Sequence, residues 1–510
     1  MLLYVSLLLS AISLGIVVLK LSATVQHATI RCISFILNLI LSRRHVIRSV
    51  GDNGTLPSAT YEFPNGQGDA AKFLRGRENS ISWERQYGSI YRIWSGTTPE
   101  IVLTKPEHVQ EVFKDSDKHL KAKNNNSGHF LGELLGKCVG LVSGTEWKTL
   151  RTACEGPFVR SAAIACVPQM IERTAKHFRQ LEATSELCIA VIDPAQDLKM
   201  LPFWIIAEML YGPLTQDMEQ TLAELAPIRE NLMKVVLQGG LTRYGWSSYL
   251  PLPANKALQD FQIKWAAFNR QARSRARGDE PIARYYDSVQ DGTIEEKSIL
   301  HTLDEILFAN LDVTLGGISW NLVYLAASQE CQTTLREEIE VERTKVGHDA
   351  TLDAYVRRTD TFLAACISES SRLRPLAAFS VPQACPTARV VGGYSFPAGT
   401  NFIIDSYALN QRNQYWGKDS LMYRPSRFLE RSSSQNRYNF WRFGFGPRQC
   451  MGKAAADLII RTLLVHLVEN YRLDLLEDSQ EWARNGEVWI NHPVTKLKCE
   501  KRELHAKNKA

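Results

Sequence analysis

The sequence predicts a mainly α-helical fold with a small β portion, preceded by an N-terminal transmembrane anchor helix. Three observations support this prediction. Apolar residues recur at steps of three and four over long segments, which is the period of an amphipathic helix. Alternating β-forming residues occur only in short stretches, as expected for minor sheets. The first residues of the chain form an uncharged apolar run.

The apolar run covers residues 2–19. Its length approaches the ~20 residues that a helix needs to span a bilayer. A cleaved signal peptide is the alternative, but no basic segment precedes the run and no small-residue cleavage pattern follows it. Basic residues follow the run, and the positive-inside rule therefore predicts that the rest of the chain faces the cytosol. The shorter apolar segment 32–41 is expected to lie on the membrane surface.

The chain divides into three predicted regions. Residues 1–22 are the membrane anchor, residues 23–70 are a membrane-proximal segment and hinge, and residues 71–510 are the catalytic domain. The hinge is placed at residues 51–70 because Gly, Pro, Asn and Ser are frequent there and interrupt regular structure.

Within the catalytic domain, helical periodicity dominates from about Ser143 onward. The longest predicted helix runs from residue 294 to residue 327. At ~1.5 Å per residue it is about 50 Å long. Residues 90–103 alternate around a Gly-Thr-Thr-Pro turn and predict a hairpin, and short extended segments return near residues 390–404 and 487–500.

The bulk composition is that of a folded enzyme-sized protein. Hydrophobic residues make up 45% and charged residues 22% of the 510 residues, which excludes wholesale disorder and a polytopic membrane protein. The formal charge of +6 is spread along the chain without a long basic block, so no nucleic acid partner is predicted. The ten cysteines lack the spacing of zinc sites, and most are expected to be buried thiols.

One cysteine lies in a segment that carries chemistry. Residues 443–452 read FGFGPRQCMG and precede an apolar helical pattern, so that Cys450 lies at a helix start. Free N–H groups and the helix dipole favour a thiolate there, which is the form that binds a metal. Arg448 offers a fork of donors that suits a carboxylate. Gly452 removes a side chain where the helix would touch a flat ligand.

Two other interpretations of this segment are possible. A glycine-rich turn with a buried cysteine explains each feature singly but not the joint spacing. A phosphate-binding loop requires four residues between its glycines and Ser or Thr after the Lys. Here five residues separate Gly446 from Gly452, and Ala454 stands at the Ser/Thr position.

The segment FGFGPRQCMG resembles the haem-binding signature of the cytochrome P450 family. The resemblance implies haem b (iron protoporphyrin IX) with the Cys450 thiolate as the axial iron ligand. Phe443 resembles the aromatic residue that shields the sulfur, and Arg448 resembles a ligand of a haem propionate. Residues 71–510 are therefore expected to form a haem-binding domain with the cytochrome P450 fold.

Two further pairs resemble the same family. Trp147 and Arg151 in GTEWKTLR resemble the helix that donates to the haem propionates. Gln383 stands roughly where many members carry a basic propionate ligand, so we expect Trp147, Arg151 and Arg448 to suffice. A lone Glu-Arg pair is usually a surface ion pair, but ISESSRLRP followed by PSRF resembles the buried network of the family. The members of this expected structural network are Glu369, Arg372 and Arg427.

The segment FANLDVT, residues 308–314, lies within the longest predicted helix. Ala309 and Asp312 share a face with Gly316, which is either a solvated face or, as the resemblance implies, an oxygen-binding groove over the haem. In the second case Asp312 relays protons. The sequence departs from the family in placing Val313 where a hydroxyl is expected, and Thr314, a neighbouring Asn or water would then complete the relay.

The resemblance, which spans most of residues 75–500, implies a haem-thiolate monooxygenase that oxidises a small apolar organic molecule. It implies O2 and electrons from a separate NADPH-cytochrome reductase, and an endoplasmic reticulum membrane with the catalytic domain in the cytosol. The chain is similar to fungal enzymes of secondary metabolism, including those that modify diketopiperazines. Two alternatives stay open. One is an isomerase, dehydratase or coupling enzyme without oxygen insertion, and the other is a non-catalytic haem-binding protein.

Overall fold

The chain folds into a mainly helical body with small sheets, as the sequence predicts. The computed structural model describes residues 23–52, 54–347, 352–476, 489–490 and 492–503. The α-helices are α1 (Ala23–Arg44), α2 (Gly76–Tyr87), α3 (Pro106–Phe113), α4 (His129–Leu135), α5 (Gly144–Cys154), α6 (Arg160–Ala165), α7 (Val167–Thr184), α8 (Pro194–Asp197), α9 (Met200–Tyr211), α10 (Gln216–Gln238), α11 (Pro253–Arg275), α12 (Pro281–Gln290), α13 (Glu296–Phe308), α14 (Val313–Ala327), α15 (Gln329–Val346), α16 (Asp353–Arg357), α17 (Phe362–Leu373), α18 (Ser433–Asn436) and α19 (Lys453–Asn470). The strands are β1 (Ile90–Ser95), β2 (Thr98–Leu103), β3 (Leu120–Lys121), β4 (Val191–Ile192), β5 (Gln383–Ala384), β6 (Arg389–Val391), β7 (Tyr394–Phe396), β8 (Asn401–Ile404), β9 (Tyr471–Leu475) and β10 (Leu497–Lys501).

The described strands form a five-stranded sheet in the order β1-β2-β8-β5-β3, a three-stranded sheet β4-β10-β9 and a two-stranded sheet β6-β7. β1 and β2 pair antiparallel with Ile90 opposite Leu103, which confirms the predicted hairpin. β8 joins β2 in parallel and β5 antiparallel. β3 then pairs antiparallel with β5 at the edge of the sheet. The segments predicted to be extended near 390–404 and 487–500 contain β6, β7, β8 and most of β10, although part of the second segment lies outside the described residues.

The longest predicted helix is broken, which corrects the prediction of one continuous helix over residues 294–327. Helix α13 ends at Phe308, a 3₁₀ turn spans Ala309–Leu311, and α14 begins at Val313. Asn310 lies in the turn, and its Nδ2 donates to the Ile306 carbonyl at 2.6 Å. A side-chain amide that bonds to the backbone in this way competes with the helical hydrogen bonds. The break therefore has a local cause.

The broken helix crosses the apolar core. Helix α14 packs against α17 and α19, and α19 also packs against α7 and α15. All residues of α14 from Thr314 to Ala326 are buried. This packing holds the helix that follows Asp312 against the helix that begins just after Cys450. The two segments with predicted chemistry are therefore set by the same core.

The structure begins with helix α1, whose 22 residues extend well beyond the apolar segment 32–41 predicted to lie on a membrane surface. The hydroxyls of Thr29, before that segment, and of Ser34, within it, donate to carbonyls four residues earlier at 2.8 and 2.7 Å, so the helix accommodates both polar side chains. Residues 25–44 are long and apolar enough to span a membrane and are only 6% buried. The anchor predicted at residues 1–22 lies outside the described residues.

The segment predicted to be a hinge is packed in its described part. Leu56, Ala59 and Tyr61 are buried. The Tyr61 N–H donates to Asn38 Oδ1 at 2.9 Å, which ties the segment to helix α1. The Phe63 N–H donates to Ser34 Oγ, also at 2.9 Å. Helix α1 is thus held by several contacts on the body, while the region boundaries at residues 22 and 70 stay predictions.

Candidate active site

The cysteine loop is a tight turn closed by its own backbone. The Cys450 N–H donates to the Phe443 carbonyl at 2.8 Å, and the chain between them passes through Gly444 and Gly446 with φ of 85° and 65°. Residues with a Cβ rarely adopt such positive φ values. A Cβ on Gly446 would also collide with the Ser116 hydroxyl. The turn itself therefore requires Gly444 and Gly446.

Cys450 combines an exposed surface with a position deep in the protein. By surface area it is exposed, as are Cys32 and Cys188, whereas Cys138, Cys154 and Cys366 are buried. Even so, burial by the surrounding protein raises the pKa of the Cys450 thiol, and the Gly452 N–H lowers it. A side chain that has free surface and yet lies deep in the protein borders an internal space. Gly452 borders the same kind of space, since a Cβ there would meet no atom within 4 Å.

Trp147, Arg151 and Arg448 lie together beside the cysteine loop. The Arg448 guanidinium carbon lies 4.4 Å from the centre of the Trp147 ring, and Arg448 Nη2 donates to the Val142 carbonyl at 2.8 Å. Arg151 Nη1 donates to the Gln449 carbonyl at 3.4 Å, and its Nε pairs with Glu155 at 2.7 Å. Burial lowers the pKa of Arg448 to about 10. The structure thus brings together the three side chains predicted to meet the propionates.

Phe443 lies on the same side of the site as Cys450, at the start of the cysteine loop. Its ring lies 4.4 Å from the Arg442 guanidinium carbon and 5.9 Å from Lys453 Nζ. Arg442 is fixed in turn by an ion pair with Asp457 at 2.7 Å. Cations over an aromatic face stabilise the ring in place. Phe443 therefore has a defined position next to the Cys450 backbone.

Across the site, the 3₁₀ turn presents Asp312 and the pair Asn310–Thr314. Thr314 Oγ1 donates to Asn310 Oδ1 at 2.6 Å. Asp312 Oδ2 accepts a hydrogen bond from Trp489 Nε1 at 3.0 Å. Burial raises the pKa of Asp312, and the negative charge of Glu230 raises it further. The hydrogen bond from Trp489 and the positive charges of Lys199 and Arg229 act in the opposite direction on this pKa.

Two cavities meet at Asp312. The larger, of about 210 Å³, has mainly apolar walls that include Leu131, Phe308, Ala309 and Val381. The smaller, of about 170 Å³, is bordered by Gln196, Lys199, Glu230, His492 and other residues. Asp312, Glu230 and Trp489 belong to both walls. An acid that touches a polar and an apolar space in this way is placed to pass protons between them.

Sequence reasoning missed Glu305, a buried carboxyl in the wall of the larger cavity. Its Oε2 accepts from the Gly140 N–H at 3.0 Å. Burial raises the pKa of Glu305, while its hydrogen bonds to Cys138 and Gly140 and the nearby cations Lys121 and Arg448 lower it. In the sequence Glu305 has the appearance of an ordinary exposed position on an amphipathic helix, so no local signal identifies it.

Glu369, Arg372 and Arg427 form a buried cluster behind the cysteine loop, and all three side chains are 0% exposed. Arg372 pairs with Glu369 through two bonds of 2.7 and 2.8 Å. Arg427 Nε donates to Glu369 Oε1 at 2.9 Å, and its Nη1 donates to the Trp416 carbonyl at 3.1 Å. Every charge in the cluster thus has a partner, which is the condition for a stable buried ion group.

The residues present fit a haem. A thiol at a helix start borders an internal space, three cationic or N–H-donating side chains lie beside it, and Phe308, Ala309 and Val381 belong to the wall of a mainly apolar cavity. Haem needs a soft or imidazole axial ligand, cationic partners for two carboxylates and apolar walls for the macrocycle. The described donor set supplies all three.

Comparison with known proteins agrees with the assignment of these residues to a haem site. The family model "Cytochrome P450" matches residues 76–498. The chain is 50% identical to cytochrome P450 monooxygenase aclC of Aspergillus oryzae over 469 residues, which cover 91% of this chain and 95% of that protein. It is 47% identical to cytochrome P450 monooxygenase asaD of Aspergillus flavus, covering 96% and 95% of the two chains. It is 37% identical to cytochrome P450 monooxygenase gliC of Aspergillus fumigatus, covering 92% and 93%.

Proposed function

The chain belongs to the cytochrome P450 family, and from that membership we propose that it is a monooxygenase that inserts one oxygen atom of O2 into a small apolar molecule of fungal secondary metabolism. The observation that carries the proposal is the position of Cys450 in a closed loop at the start of α19, bordering an internal space. Proteins of this family bind haem through a cysteine thiolate, and the Cys450 region fits that binding.

Residues on both sides of the cysteine loop would hold the cofactor. Cys450 would supply the thiolate ligand, and Phe443 would shield its sulfur from solvent. Trp147, Arg151 and Arg448 would bind the propionates through N–H donors and positive charge. When bound, haem supplies the iron at which O2 is activated, and the thiolate favours cleavage of the O–O bond.

We assign proton delivery to residues at the break between α13 and α14. Asp312 is the proposed proton relay: burial raises the pKa of its carboxyl, and the hydrogen bond from Trp489 fixes the orientation of that carboxyl. Thr314 is fixed by its bond to Asn310, and its hydroxyl is the second group of the relay after the Asp312 carboxyl. Ala309, with its small side chain in the cavity wall, leaves room for O2. Water reaches Asp312 through the smaller cavity.

Substrate class and partners follow from the larger cavity and from the relatives. Its apolar walls suit a small apolar molecule with few polar groups. The relatives in three Aspergillus species support an oxidation in fungal secondary metabolism. Electrons come from a separate NADPH-cytochrome reductase, as in the family. The chain is a single-pass protein of the endoplasmic reticulum, and its catalytic domain faces the cytosol.

Glu369, Arg372 and Arg427 have a structural role in this proposal. Arg372 Nη1 donates to the Asn410 carbonyl at 2.9 Å, and Asn410 in turn binds the backbone of Trp441, two residues before Phe443. The ion cluster thus fixes the chain that leads into the cysteine loop. Its effect on the haem is indirect, through the position of that loop.

An oxidative coupling without oxygen insertion is the second candidate. The observation that favours it is Val313, which lacks the hydroxyl of the usual relay, while the hydroxyl of Thr314 is already donated to Asn310. A weaker relay suits a reaction that removes hydrogen from the substrate. Incorporation of ¹⁸O from labelled O2 into the product supports insertion, and its absence from a confirmed product supports coupling.

The haem assignment is tested by the difference spectrum of the reduced protein with carbon monoxide. The wild-type protein is expected to give the band of a thiolate-ligated haem, and Cys450→Ser is expected to lose it. Cys331→Ser is the matched control, because Cys331 is partly exposed and lies in α15, outside the site. A wild-type protein that holds haem without a thiolate band, or a Cys450→Ser variant that keeps the band, would contradict the proposal.

A further inference from the structure

The wall of the larger cavity contains polar residues that the proposed reaction does not use. Asp69, Lys72 and Asn125 belong to this wall. Ala309 and Asp312, which we assign to O2 and to proton delivery, belong to the same wall. A molecule that fills the cavity therefore contacts both the polar residues and the site of the proposed oxidation.

The Asp69 carboxylate lies inside the protein without a hydrogen bond. The residue is 3% exposed, and among the described residues neither of its carboxylate oxygens accepts a hydrogen bond. Its contacts are ionic and lack hydrogen-bond geometry: Lys72 Nζ lies 3.3 Å from Oδ1, and Arg243 Nη1 lies 3.8 Å from Oδ2. A buried carboxylate oxygen without a hydrogen bond is costly. Both oxygens therefore keep lone pairs for a donor that enters the cavity.

The two cations beside Asp69 are held in place by other groups. Lys72 Nζ donates to Glu100 Oε2 at 3.0 Å, and Glu100 Oε1 accepts from Asn126 Nδ2 at 2.8 Å. Arg243 Nη2 donates to the Asn126 carbonyl. The two carboxylates and the two cations of this group balance each other in charge. An ammonium ion would add an unpaired buried charge, so the group favours a ligand that is neutral.

Ring contacts connect this polar group to the proposed proton relay. Lys72 Nζ lies 5.6 Å from the centre of the Phe73 ring, and Phe73 meets Trp489 edge to face with 6.3 Å between the ring centres. Trp489 Nε1 in turn donates to Asp312 Oδ2 at 3.0 Å. The Asp69 carboxylate and the relay thus have fixed positions in one cavity wall.

Asn125 adds a second acceptor to the same wall. Its Oδ1 is buried and has no hydrogen-bond partner within the part of the chain that the structure describes. Asn125 stands between Asn124 and Asn126, and the three residues have φ values of 49°, 50° and 60°. Few residues other than glycine adopt such angles, and asparagine is one that does. Three consecutive asparagines thus permit the turn that brings Asn125 to the cavity.

We propose that Asp69 determines substrate specificity by accepting a hydrogen bond from a neutral N–H or O–H group of an otherwise apolar substrate, with Asn125 as a second acceptor. The inference rests on the proposed function, since it presupposes that the larger cavity binds the substrate of a monooxygenase. It narrows the class of substrate to molecules that carry such a donor. A molecule whose donor is capped by a methyl group binds more weakly, because it leaves the buried carboxylate without a hydrogen bond.

The test compares two neutral probes that differ by one methyl group, 4-propylphenol and its methyl ether 4-propylanisole. Equilibrium dialysis with the purified full-length protein measures both dissociation constants without depending on an absorption signal from haem. The wild type is expected to bind the phenol at least about tenfold more tightly than the ether, because a hydrogen bond to a charged group is lost in the ether. In Asp69→Leu this preference is expected to fall below about twofold. A purely structural role of Asp69 predicts that both affinities fall together and that their ratio stays constant.

Asp405→Asn is the matched control for Asp69→Asn. Asp405 is also a buried aspartate in contact with an arginine, but it does not belong to the described wall of either cavity. Its replacement is expected to leave the preference for the phenol unchanged. Asp69→Asn keeps the size of the side chain and a weaker, uncharged acceptor, so its preference is expected to lie between those of the wild type and Asp69→Leu. The Asn variant therefore decides the question if Asp69→Leu fails to fold.

The outcomes separate this inference from the proposed function. A wild type that binds the two probes equally, or that does not bind the phenol, overturns the role of Asp69 and leaves the haem assignment intact. The same holds if the Asp69 variants keep the wild-type preference. A wild type without the thiolate band overturns the proposed function, whereas a preference for the phenol that is lost with Asp69 still supports Asp69 as the acceptor for a ligand of the cavity.

Discussion

At the scale of single residues, burial decides what each charged group does. Glu369 is fully buried but meets two arginines, so its charge is neutralised within the protein. Lys121 and Arg448 lie near Glu305, whose negative charge partly offsets the effect of burial on the pKa of both cations. The two groups thus differ in how directly their charges are paired.

The buried His301 predicts how stability depends on pH. Burial lowers its pKa from 6.5 to about 4, and its Nδ1 accepts the Lys137 N–H at 3.1 Å. Because the pKa is higher in the unfolded state, the neutral histidine contributes its full stability above pH 6.5 and loses it as the pH falls towards 4. The complete loss amounts to about 3 kcal/mol.

We therefore expect His301→Asn, which offers an acceptor without a titrating ring, to be less stable than the wild type at neutral pH by a margin that shrinks on acidification. The thermal unfolding midpoints of both proteins between about pH 7.5 and pH 5 measure this margin. His129→Asn, at a partly exposed position, is the control and is expected to give a constant margin. A margin that widens at lower pH for His301→Asn contradicts the assignment.

At the scale of elements, the break between α13 and α14 shapes the active site. The 3₁₀ turn Ala309–Leu311 replaces a regular helical turn, and Asn310 fixes it through its bonds to Ile306 and Thr314. A continuous helix would keep its backbone hydrogen bonds and leave less room beside the cavity. The same side chain thus opens the helix and orients the hydroxyl nearest to the expected relay.

Thr314→Val removes the hydroxyl while keeping the shape of the side chain. Loss of its bond leaves Asn310 Oδ1 without the Thr314 donor, and we expect product formation with the reductase to fall by about tenfold, which corresponds to one net hydrogen bond. A larger share of the NADPH electrons is expected to appear as hydrogen peroxide. The ratio of product to NADPH consumed measures this coupling.

Val313→Ala is the control for this prediction, because it changes a neighbouring side chain without touching a hydrogen bond of the turn. We expect its coupling ratio to stay close to that of the wild type. An unchanged ratio in Thr314→Val would remove Thr314 from the relay and would leave proton delivery to Asp312 and water.

At the scale of the whole molecule, helix α1 packs on the body with one side and exposes its other side. Its inner side contacts Tyr61 and Trp94 through Leu37 and Leu41. On its outer side Phe35, Ile36 and Ile40 are 65%, 49% and 53% exposed. Such a run of exposed apolar side chains next to basic residues is typical of a segment that contacts a membrane. Because the helix is fixed to the body, we expect membrane contact through its outer side to set the orientation of the body towards the bilayer.

We expect a chain that starts at Ala23 to float with anionic lipid vesicles in a density gradient. The triple variant Phe35→Gln, Ile36→Gln and Ile40→Gln is expected to lower the fraction that floats by more than about tenfold, since each buried apolar side chain contributes roughly 1.5–3 kcal/mol. The control is Leu421→Gln with Met422→Gln, which removes two exposed apolar side chains, 71% and 66% exposed, far from α1 in sequence. Equal flotation of the triple variant and the wild type contradicts membrane contact through α1.

Local sequence patterns predicted the parts of the molecule that depend on neighbouring residues. The loop FGFGPRQCMG contains its own turn glycines and helix start, so Cys450 was identifiable without any distant contact. The hairpin of β1 and β2 follows from alternation around one turn. Glu369 and Arg372 are three apart on one helix, so their pairing follows from the helical repeat.

Contacts between residues far apart in the chain are seen only in the tertiary structure. The bond from Trp489 to Asp312 joins positions 177 residues apart, and the pairing of Lys121 with Gln383 depends on the register of two short strands. The break at Asn310 arises because its side chain donates to the Ile306 carbonyl instead of pointing into solvent. The spacing of apolar residues in the sequence does not predict this bond. Sequence alone thus identified the family and the iron ligand, because a local motif encodes them. The surroundings of that ligand were set by packing and strand register, because these arise only when distant segments meet.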